Sequence, residues 1–315
     1  MFIMNKILIL GYSDISQRRI IPALNKLDEI SSIEIATKSK EVEALGKIEK
    51  TYKSYEKAIE STDANFVYIS LPNSLHFDYG KQSLLWDKNI IIDKPAVLNK
   101  SEFEELTNLA KKNNLFISQS CVFQHHKAWV DFKKYSKKYN KGILTATFLI
   151  PELHSRNFRM SNKLGGGSVN DMGIYASESG RNFWENSAKS FSINDVSKPN
   201  NKVNMGFTGK ASYGEGKEAI FEFGFNREYK NNITFLSNEF LISYERVFSA
   251  PEDFKTCLTI KNGDEEKNIE IGFDDTFNNY LKDVYVKYKN NDIDTINREF
   301  EDSTMEFLKL KKELK

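Results

Sequence analysis

"NFVYISLPNSLHFDYGKQSLLWDKNIIIDKPAVLNKSEFEELTNLAKKNN" spans residues 65–114 and decides the fold class. Two short apolar runs, 66–70 and 89–92, are each followed by a longer stretch of helical period, at 74–86 and 99–113. Runs that are apolar throughout are typical of strands buried on both faces of a sheet. This alternation of strand and helix predicts a parallel, doubly wound α/β sheet.

The same alternation extends over the rest of the N-terminal part of the chain. Further strands are predicted at 6–10, 33–37 and 115–119, and further helices at 15–28, 41–48 and 54–60. We therefore expect residues 1–121 to form one α/β domain.

Beyond about residue 120 the pattern of the sequence changes. Helices are predicted at 126–138, 165–184, 276–290 and 297–314, and they frame segments of period two such as 219–226, 232–248 and 257–273. A turn is expected at Lys261-Asn262-Gly263-Asp264. Residues 122–315 are therefore predicted to form an α+β domain with a large, mainly antiparallel open sheet.

Composition excludes several classes of function. The 315 residues suit two domains, and 45 basic residues nearly balance 44 acidic ones, so no overall field attracts nucleic acid or an anionic membrane. No run approaches the ~20 apolar residues of a membrane span, and the N-terminus does not resemble a signal peptide. Two cysteines without metal-type spacing suit a reducing compartment, and no metal site is predicted. We expect a cytoplasmic protein.

The first strand leads into "ILILGYSDISQRRI", which resembles a dinucleotide-binding loop with two glycines replaced. Gly11 stands at the first glycine position, and serines stand at the second and third, Ser13 and Ser16. A helix beginning near Asp14 and Ile15 would direct its N-terminal amides at a pyrophosphate. Taken alone, this stretch is equally compatible with a structural strand-to-helix turn.

A second cofactor signal follows the next strand, in "SIEIATKSK". Sites that prefer NAD usually carry Asp or Glu here, to bind the ribose hydroxyls. Thr37, Lys38 and Ser39 offer hydroxyl and cationic groups instead, which suit the 2′-phosphate of NADP. NADP is therefore the predicted cofactor, with NAD as second choice; a solvated loop is the alternative.

Residues 65–114 also resemble the glucose-fructose oxidoreductase, inositol dehydrogenase and MocA family of nicotinamide-dependent sugar oxidoreductases. The resemblance lies in Leu71-Pro72-Asn73, in His76 three residues later, and in Asp93-Lys94-Pro95, where the family usually has Glu in place of Asp. It implies a Rossmann fold in which these residues contact the cofactor and Lys94 is catalytic; for His76, a helix-capping or packing role is the alternative.

A second stretch, "FRMSNKLGGGSVNDMGIYASESGRNFWE" at 158–185, resembles the family's triple-glycine segment. Asp171 and Tyr175 stand four residues apart, so on a helix they share one face. The resemblance implies that both are catalytic with Lys94 and also touch the substrate. Arg159 and Gln124 fall where substrate contacts are expected.

The resemblance implies hydride transfer between a nicotinamide and a sugar or a nucleotide-linked keto-sugar. Lys94 and Tyr175 would handle the proton that the carbonyl oxygen needs, with Asp171 pairing with Lys94 or orienting a sugar hydroxyl. The second domain would bind the substrate and form a homodimer or homotetramer. The alternative is a cofactor-sensing regulator or partner-binding protein on the same fold, without turnover.

Overall fold

The computed structural model describes residues 5–38, 40–197 and 202–314. The chain divides into two compact units: Met1–Ser120 with Phe277–Thr304, and Cys121–Thr276 with Met305–Lys315.

The first unit is built on a six-stranded sheet whose strands are all parallel, in the order β3-β2-β1-β4-β5-β6. The strands are β1 (Asn5–Leu10), β2 (Ile30–Ala36), β3 (Ile48–Tyr52), β4 (Phe66–Ile69), β5 (Asn89–Ile92) and β6 (Ile117–Gln119). Strands β4 and β5 are buried along their whole length, as their apolar runs predict. The strand order reverses between β1 and β4, and ligands of such sheets bind outside the carboxyl ends of the strands at that point. The doubly wound prediction is confirmed.

Helices connect these strands. Near the N-terminus the chain is helical from Asp14 to Asn25; Ser16–Ile20 form a π-helical turn, and Ile21–Asn25 form helix α1. The other helices are α2 (Tyr55–Ser61), α3 (His76–Leu85) and α4 (Lys100–Asn113). The side chain of Asn99 accepts a hydrogen bond from the Glu102 backbone N–H, and the Glu102 carboxylate accepts one from the Leu98 N–H, which fixes the start of α4.

The helix predicted at 41–48 is wrong. The segment has no regular structure until a turn at Gly46, which has φ +60°, and the chain then enters β3. Strand β3 lies at the edge of the sheet and its side chains are exposed or only half-buried. An edge strand of this kind carries no apolar alternation, so charged helix-forming residues obscure it.

The first unit also contains Phe277–Thr304, which the sequence pattern placed in the second domain. The Asn297 side chain explains this return of the chain: its Oδ1 accepts from the Ile117 N–H at 2.9 Å, and its Nδ2 donates to the Leu115 carbonyl at 3.0 Å. The Tyr280 and Ser118 hydroxyls lie 2.6 Å apart. Polar contacts with β6 thus hold the C-terminal segment in this unit.

The second unit is built on an eight-stranded open sheet in the order β14-β13-β12-β11-β7-β10-β9-β8. Only the pair β7–β10 is parallel, so the mainly antiparallel prediction is confirmed. The strands are β7 (Gly142–Leu149), β8 (Ser190–Asp195), β9 (Gly206–Gly214), β10 (Lys217–Gly224), β11 (Lys230–Ser237), β12 (Phe240–Glu245), β13 (Thr256–Asn262) and β14 (Glu265–Ile271). The predicted turn joins β13 to β14, with Gly263 at φ +60°.

One face of this open sheet carries the core of the second unit. Its helices are α5 (Lys127–Ser136), α6 (Ser168–Trp184) and the last part of α8 (Ile293–Lys312), whereas α7 (Thr276–Lys289) belongs, apart from Thr276, to the first unit. Gly173 of α6 lies against the Phe307 ring, where an added Cβ would approach to 2.9 Å. The opposite face exposes small hydroxyl-bearing residues together with Ile143, Ile220 and Leu236, each 38–48% exposed.

Candidate active site

The loop after β1 requires glycine at its first position. Gly11 has φ +99°, a conformation that side chains disfavour, and its N–H donates to the Ala36 carbonyl at 2.9 Å. A Cβ built on Gly11 would overlap the carbonyl oxygen of Ser70 and come within 2.9 Å of the Leu71 side chain. The backbone after β1 therefore passes as close to the loop after β4 as it can, which is the geometry a pyrophosphate loop needs.

The two serines that replace glycines stabilise this loop from within. The Ser13 hydroxyl accepts from the Ser16 N–H at 3.0 Å. The buried Ser16 hydroxyl donates to the Gly11 and Ser13 carbonyls, at 3.2 and 2.9 Å. Both side chains therefore fit the loop without opening it, and the residues present fit a dinucleotide.

Asp14 and Ile15 begin the helical segment after the loop. The Asp14 carboxylate forms an exposed ion pair with Arg18 at 2.8 Å. Its negative charge is therefore partly offset by Arg18, which reduces the repulsion that a phosphate near this helix start would experience.

Asp93, at the end of β5, accepts hydrogen bonds from three hydroxyls. Ser70 donates at 2.7 Å, Tyr68 at 2.8 Å and Ser120 at 3.1 Å. Because the only proton of the Ser70 hydroxyl goes to Asp93, the 2.7 Å contact between Ser13 and Ser70 must have Ser13 as its donor. One chain of hydrogen bonds thus runs from the phosphate loop, through Ser70, to the residue beside Lys94. Burial, and then the charge of Asp93, raise the pKa of Tyr68 well above its usual value.

His76 is fully buried and connects two strand ends. Its Nδ1 lies 2.8 Å from the Pro95 carbonyl oxygen and its Nε2 lies 2.8 Å from the Leu71 carbonyl oxygen. Burial lowers the pKa of His76, and the two carbonyls oppose that shift. Through these contacts His76 positions the loop after Lys94, and its contact with a nicotinamide stays a prediction. Pro72 and the buried Asn73 lie directly after Leu71, at the start of the short turn before α3.

Lys38 lies at the end of β2, as predicted, but a neighbouring carboxylate accompanies it. Its Nζ lies 4.0 Å from Oε1 of Glu56 and 4.9 Å from the centre of the Tyr55 ring. Glu56 also accepts from the Tyr79 hydroxyl at 2.6 Å and from the Ser54 hydroxyl at 2.7 Å, and these bonds lower its pKa to about 2.

The sequence reasoning missed Glu56, whose only signal was its place in the first turn of α2, after Ser54. Of the other residues predicted near Lys38, Thr37 is buried and its hydroxyl accepts from the Lys40 N–H at 3.4 Å. Ser39 lies outside the described residues.

In the second unit, the triple glycine allows Arg159 to meet α6. A Cβ on Gly166 would overlap the Arg159 carbonyl, and the Gly167 N–H donates to that carbonyl at 2.8 Å. The Arg159 Nε lies 2.8 Å from Oδ2 of the buried Asp171, and its guanidinium lies 4.7 Å from the centre of the Phe158 ring. The charge of Asp171 is therefore balanced by Arg159. The predicted pairing of Asp171 with Lys94 stays a prediction, since the two residues belong to different units.

Tyr175 lies one turn after Asp171 on α6, and its half-buried ring is held by aromatic neighbours. Its centre lies 5.2 Å from that of Phe248, 5.9 Å from that of Phe148 and 6.1 Å from that of Phe123. Aromatic pairs at these separations add packing energy and fix the ring plane. These three contacts thus hold the Tyr175 side chain in one position.

The side chain of Gln124 belongs to a network of hydrogen bonds. Its Nε2 donates to the buried Glu178 at 2.8 Å, and its Oε1 accepts from Asn182 at 2.7 Å. Glu178 also accepts two hydrogen bonds from Arg181. Both ends of the Gln124 amide are used in this network, which gives the residue a structural role, and its substrate contact stays a prediction.

The described part of the chain contains neither a metal-binding cluster nor a membrane-spanning helix. No group of three or more His, Cys, Asp or Glu residues there could hold a metal ion. Over the same residues, no helix has both the length and the apolar composition needed to cross a membrane.

Comparison with known proteins places these features in context. Residues 5–120 match a family model described as an oxidoreductase family with an NAD-binding Rossmann fold. The chain is 24% identical over 259 residues to the dTDP-3,4-didehydro-2,6-dideoxy-alpha-D-glucose 3-reductase of Saccharopolyspora spinosa, over 80% of this chain and 78% of that protein. It is 22% identical over 282 residues to the reductase of the same name from Actinomadura kijaniata, over 85% and 83% of the two chains.

Solved structures share the fold over nearly the whole chain. A 3-ketoreductase from Actinomadura kijaniata in complex with NADP and TDP-benzene superimposes with a TM-score of 0.89 at 20% identity, over 99% of this chain and 98% of that one. An aldose-aldose oxidoreductase from Caulobacter crescentus, complexed with glycerol, superimposes with a TM-score of 0.78 at 14% identity, over 96% and 98%.

Proposed function

We propose that the chain, whose residues 5–120 match the NAD-binding Rossmann oxidoreductase family and whose motifs resemble the glucose-fructose oxidoreductase, inositol dehydrogenase and MocA family, is an NADP-dependent reductase of a nucleotide-linked keto-sugar. One observation carries this proposal: the chain of hydrogen bonds from Ser13 through Ser70 to Asp93, beside Lys94. It links the loop that suits a pyrophosphate to the residue that suits a carbonyl oxygen.

The residues of the first unit divide into two groups by role. Gly11, Ser13, Asp14 and Ile15 supply the close backbone approach and the helix start that a pyrophosphate needs. Lys38 offers a cation for the 2′-phosphate of NADP. When bound, the reduced cofactor supplies the hydride, and the protein's residues do the remaining work.

Reduction of a ketone leaves negative charge on the carbonyl oxygen, which must be stabilised and then protonated. An ammonium such as Lys94 can do both, and a phenol such as Tyr175 is a second donor. Asp171, fixed by Arg159, is suited to accept a hydrogen bond from a sugar hydroxyl. Lys94 is therefore assigned as the principal acid, Tyr175 as a proton donor and Asp171 as an orienting residue.

The substrate class rests on the relatives. The proteins from Saccharopolyspora spinosa and Actinomadura kijaniata are named as 3-reductases of a dTDP-linked dideoxy keto-sugar. We infer the same class for this chain, a keto-sugar attached to a nucleoside diphosphate.

The exposed face of the open sheet supports self-association into a homodimer or homotetramer. Ile143 and Leu236 are direct neighbours on β7 and β11, and Ile220 lies on β10, on the other side of β7. All three are large apolar side chains exposed among Thr and Ser residues, a composition that suits burial against a second copy.

The test combines cofactor binding with turnover. NADPH binding is followed by fluorescence titration, and turnover by NADPH consumption with a panel of dTDP-linked and unlinked keto-sugars. Lys94→Ala should lower kcat about 10²–10³-fold while the Kd for NADPH changes little, since the variant removes an interaction made mainly to developing charge. Tyr175→Phe should lower kcat less. Lys112→Ala, an exposed lysine at the end of α4, serves as control.

Turnover by Lys94→Ala at the wild-type rate would refute the catalytic assignment. Tight NADPH binding with no turnover of any keto-sugar would instead favour the regulator.

A further inference from the structure

Arg246 lies directly after β12, between two aromatic rings. Its guanidinium carbon is 4.5 Å from the centre of the Tyr229 ring and 5.6 Å from that of the Phe254 ring. Its Nη1 donates to the Tyr229 hydroxyl at 3.0 Å. The planar group is therefore fixed in orientation by stacking and by one hydrogen bond.

The charge of this guanidinium is not neutralised by a neighbour. Arg159 and Arg181 form ion pairs with Asp171 and Glu178, whereas no carboxylate among the described residues forms one with Arg246. A guanidinium has five N–H donors, and the single side-chain hydrogen bond recorded for Arg246 uses one of them. An oriented cation with spare donors is a binding site for an anion.

The backbone at Arg246 is held in an unfavourable conformation. Its φ of +61° lies in the left-handed region, which costs a non-glycine residue about 1–2 kcal/mol. The buried Asn231 supports it: the Arg246 N–H donates to the Asn231 carbonyl at 2.7 Å. The Asn231 side chain donates to the Tyr229 hydroxyl at 3.2 Å and accepts from the Phe248 N–H at 3.1 Å. Strain that is supported in this way is typical of functional positions.

A row of rings connects this cation to Tyr175. The Tyr229 ring is 39% exposed, and its centre lies 6.5 Å from that of Phe148, which in turn lies 5.9 Å from that of Tyr175. The row from the guanidinium to the Tyr175 ring has steps of 4.5, 6.5 and 5.9 Å between centres.

We propose that Arg246, stacked on the exposed Tyr229 ring, forms the subsite for the diphosphate of the substrate. This inference rests on the proposed function, because it assigns a place to the nucleotide part of that substrate. Arg246 donates two parallel hydrogen bonds to phosphate oxygens, and the aromatic row leads the attached sugar toward Tyr175.

The test measures binding of dTDP, dTMP and thymidine to the full chain by calorimetry, in wild type, Arg246→Gln and Arg246→Lys. Arg246→Gln should weaken dTDP binding at least about ten-fold, dTMP less, and thymidine hardly at all. Arg246→Lys, which keeps the charge but not the planar fork, should lie between wild type and Arg246→Gln. Arg227→Gln is the matched control, because Arg227 is an exposed arginine of the same region whose side chain donates to the Asn226 carbonyl.

Several results would overturn the proposal. One is that Arg246→Gln binds dTDP as tightly as wild type. Another is that Arg246→Gln and Arg227→Gln lose equal affinity for dTDP, and a third is that Arg246→Gln loses as much affinity for NADPH as for dTDP. Unfolding temperatures of all variants separate binding from folding, and Arg246→Lys carries the test if Arg246→Gln does not fold.

Failure of the subsite and failure of the proposed function are distinguishable. A wild-type protein that reduces a dTDP-linked keto-sugar, while Arg246→Gln binds dTDP as tightly as wild type, refutes the subsite alone. A protein that binds dTDP through Arg246 but turns over no keto-sugar retains the subsite and loses the function.

Discussion

Gly11→Ala is the sharpest test of the phosphate loop, because its cost has two separable parts. At φ +99°, alanine is strained by about 1–2 kcal/mol whatever the space around it. Its Cβ would also overlap the Ser70 carbonyl and press on Leu71, and overpacking of this kind costs about 1–3 kcal/mol. We expect the free energy of unfolding to fall by about 2–5 kcal/mol.

The same change should weaken cofactor binding. Relief of the overlap requires Ser70 to move, and its hydroxyl connects Ser13 to Asp93. The Kd for NADPH should rise at least about ten-fold in the folded protein, which corresponds to about 1.4 kcal/mol. Urea unfolding followed by circular dichroism gives the stability, and fluorescence titration gives the affinity.

Gly263→Ala is the matched control for backbone strain. Gly263 also has a positive φ, +60°, but a Cβ there meets nothing within 4 Å. The free energy of unfolding of this variant should fall only by the backbone strain of about 1–2 kcal/mol, and its affinity for NADPH should stay at the wild-type value. If Gly11→Ala were no more destabilising than Gly263→Ala and bound NADPH normally, the close approach at Gly11 would have no role in cofactor binding.

Three further predictions concern other parts of the molecule. Glu56→Gln should tighten NADPH binding up to about five-fold and leave NADH unchanged, because it frees Lys38 from a half-exposed pair worth at most about 1 kcal/mol. Since the pKa of Glu56 is lowered to about 2, the carboxylate is ionised throughout the range from about pH 5 to 9, and the effect should not vary with pH there; a pH-dependent ratio of the two Kd values would contradict this. Asp93→Asn should lower the free energy of unfolding by about 1–3 kcal/mol, because an amide nitrogen cannot accept from the hydroxyls that the carboxylate now binds, and unchanged urea unfolding would argue against the network. Ile220→Asp should shift a wild-type dimer or tetramer to monomer in sedimentation experiments, and a wild-type monomer at micromolar concentration would refute association through this face.

The parts of the fold that the sequence predicts well are those in which burial follows local pattern. Strand β4 and the three isoleucines of β5 form apolar runs because both faces are covered, and helix α4 shows both an apolar face and a capping sequence. Strand β3 has neither signal, since an edge strand with exposed side chains leaves no trace in hydrophobic period. The C-terminal helices were found, but their return to the first unit depends on hydrogen bonds from Asn297 to residues about 180 positions earlier.

The candidate site was predictable where a residue type carries its own chemistry. Gly11 could be identified because a strand end with a positive φ and a close backbone approach needs glycine. The partners of Gln124 and Lys38 could not be identified, because Glu178 and Glu56 are distant from them in the sequence. A single sequence also does not distinguish a buried carboxylate from an exposed one. Arg246 was not identified from the sequence for the same reason, because the two rings that hold it, Tyr229 and Phe254, come from separate segments.

The position of β7 has a consequence for how the second unit folds. Strand β7 is hydrogen-bonded on one side to β10 and on the other to β11, both of which follow it by roughly seventy to ninety residues. The pairs β9–β10, β11–β12 and β13–β14 join strands adjacent in the chain, so they can form as local hairpins as soon as they are synthesised. During synthesis, "GILTATFL" leaves the ribosome long before either of its neighbours exists and exposes two unpaired edges in the meantime. The strand at the centre of the finished sheet therefore waits longest for its partners and is the segment most in need of protection from aggregation.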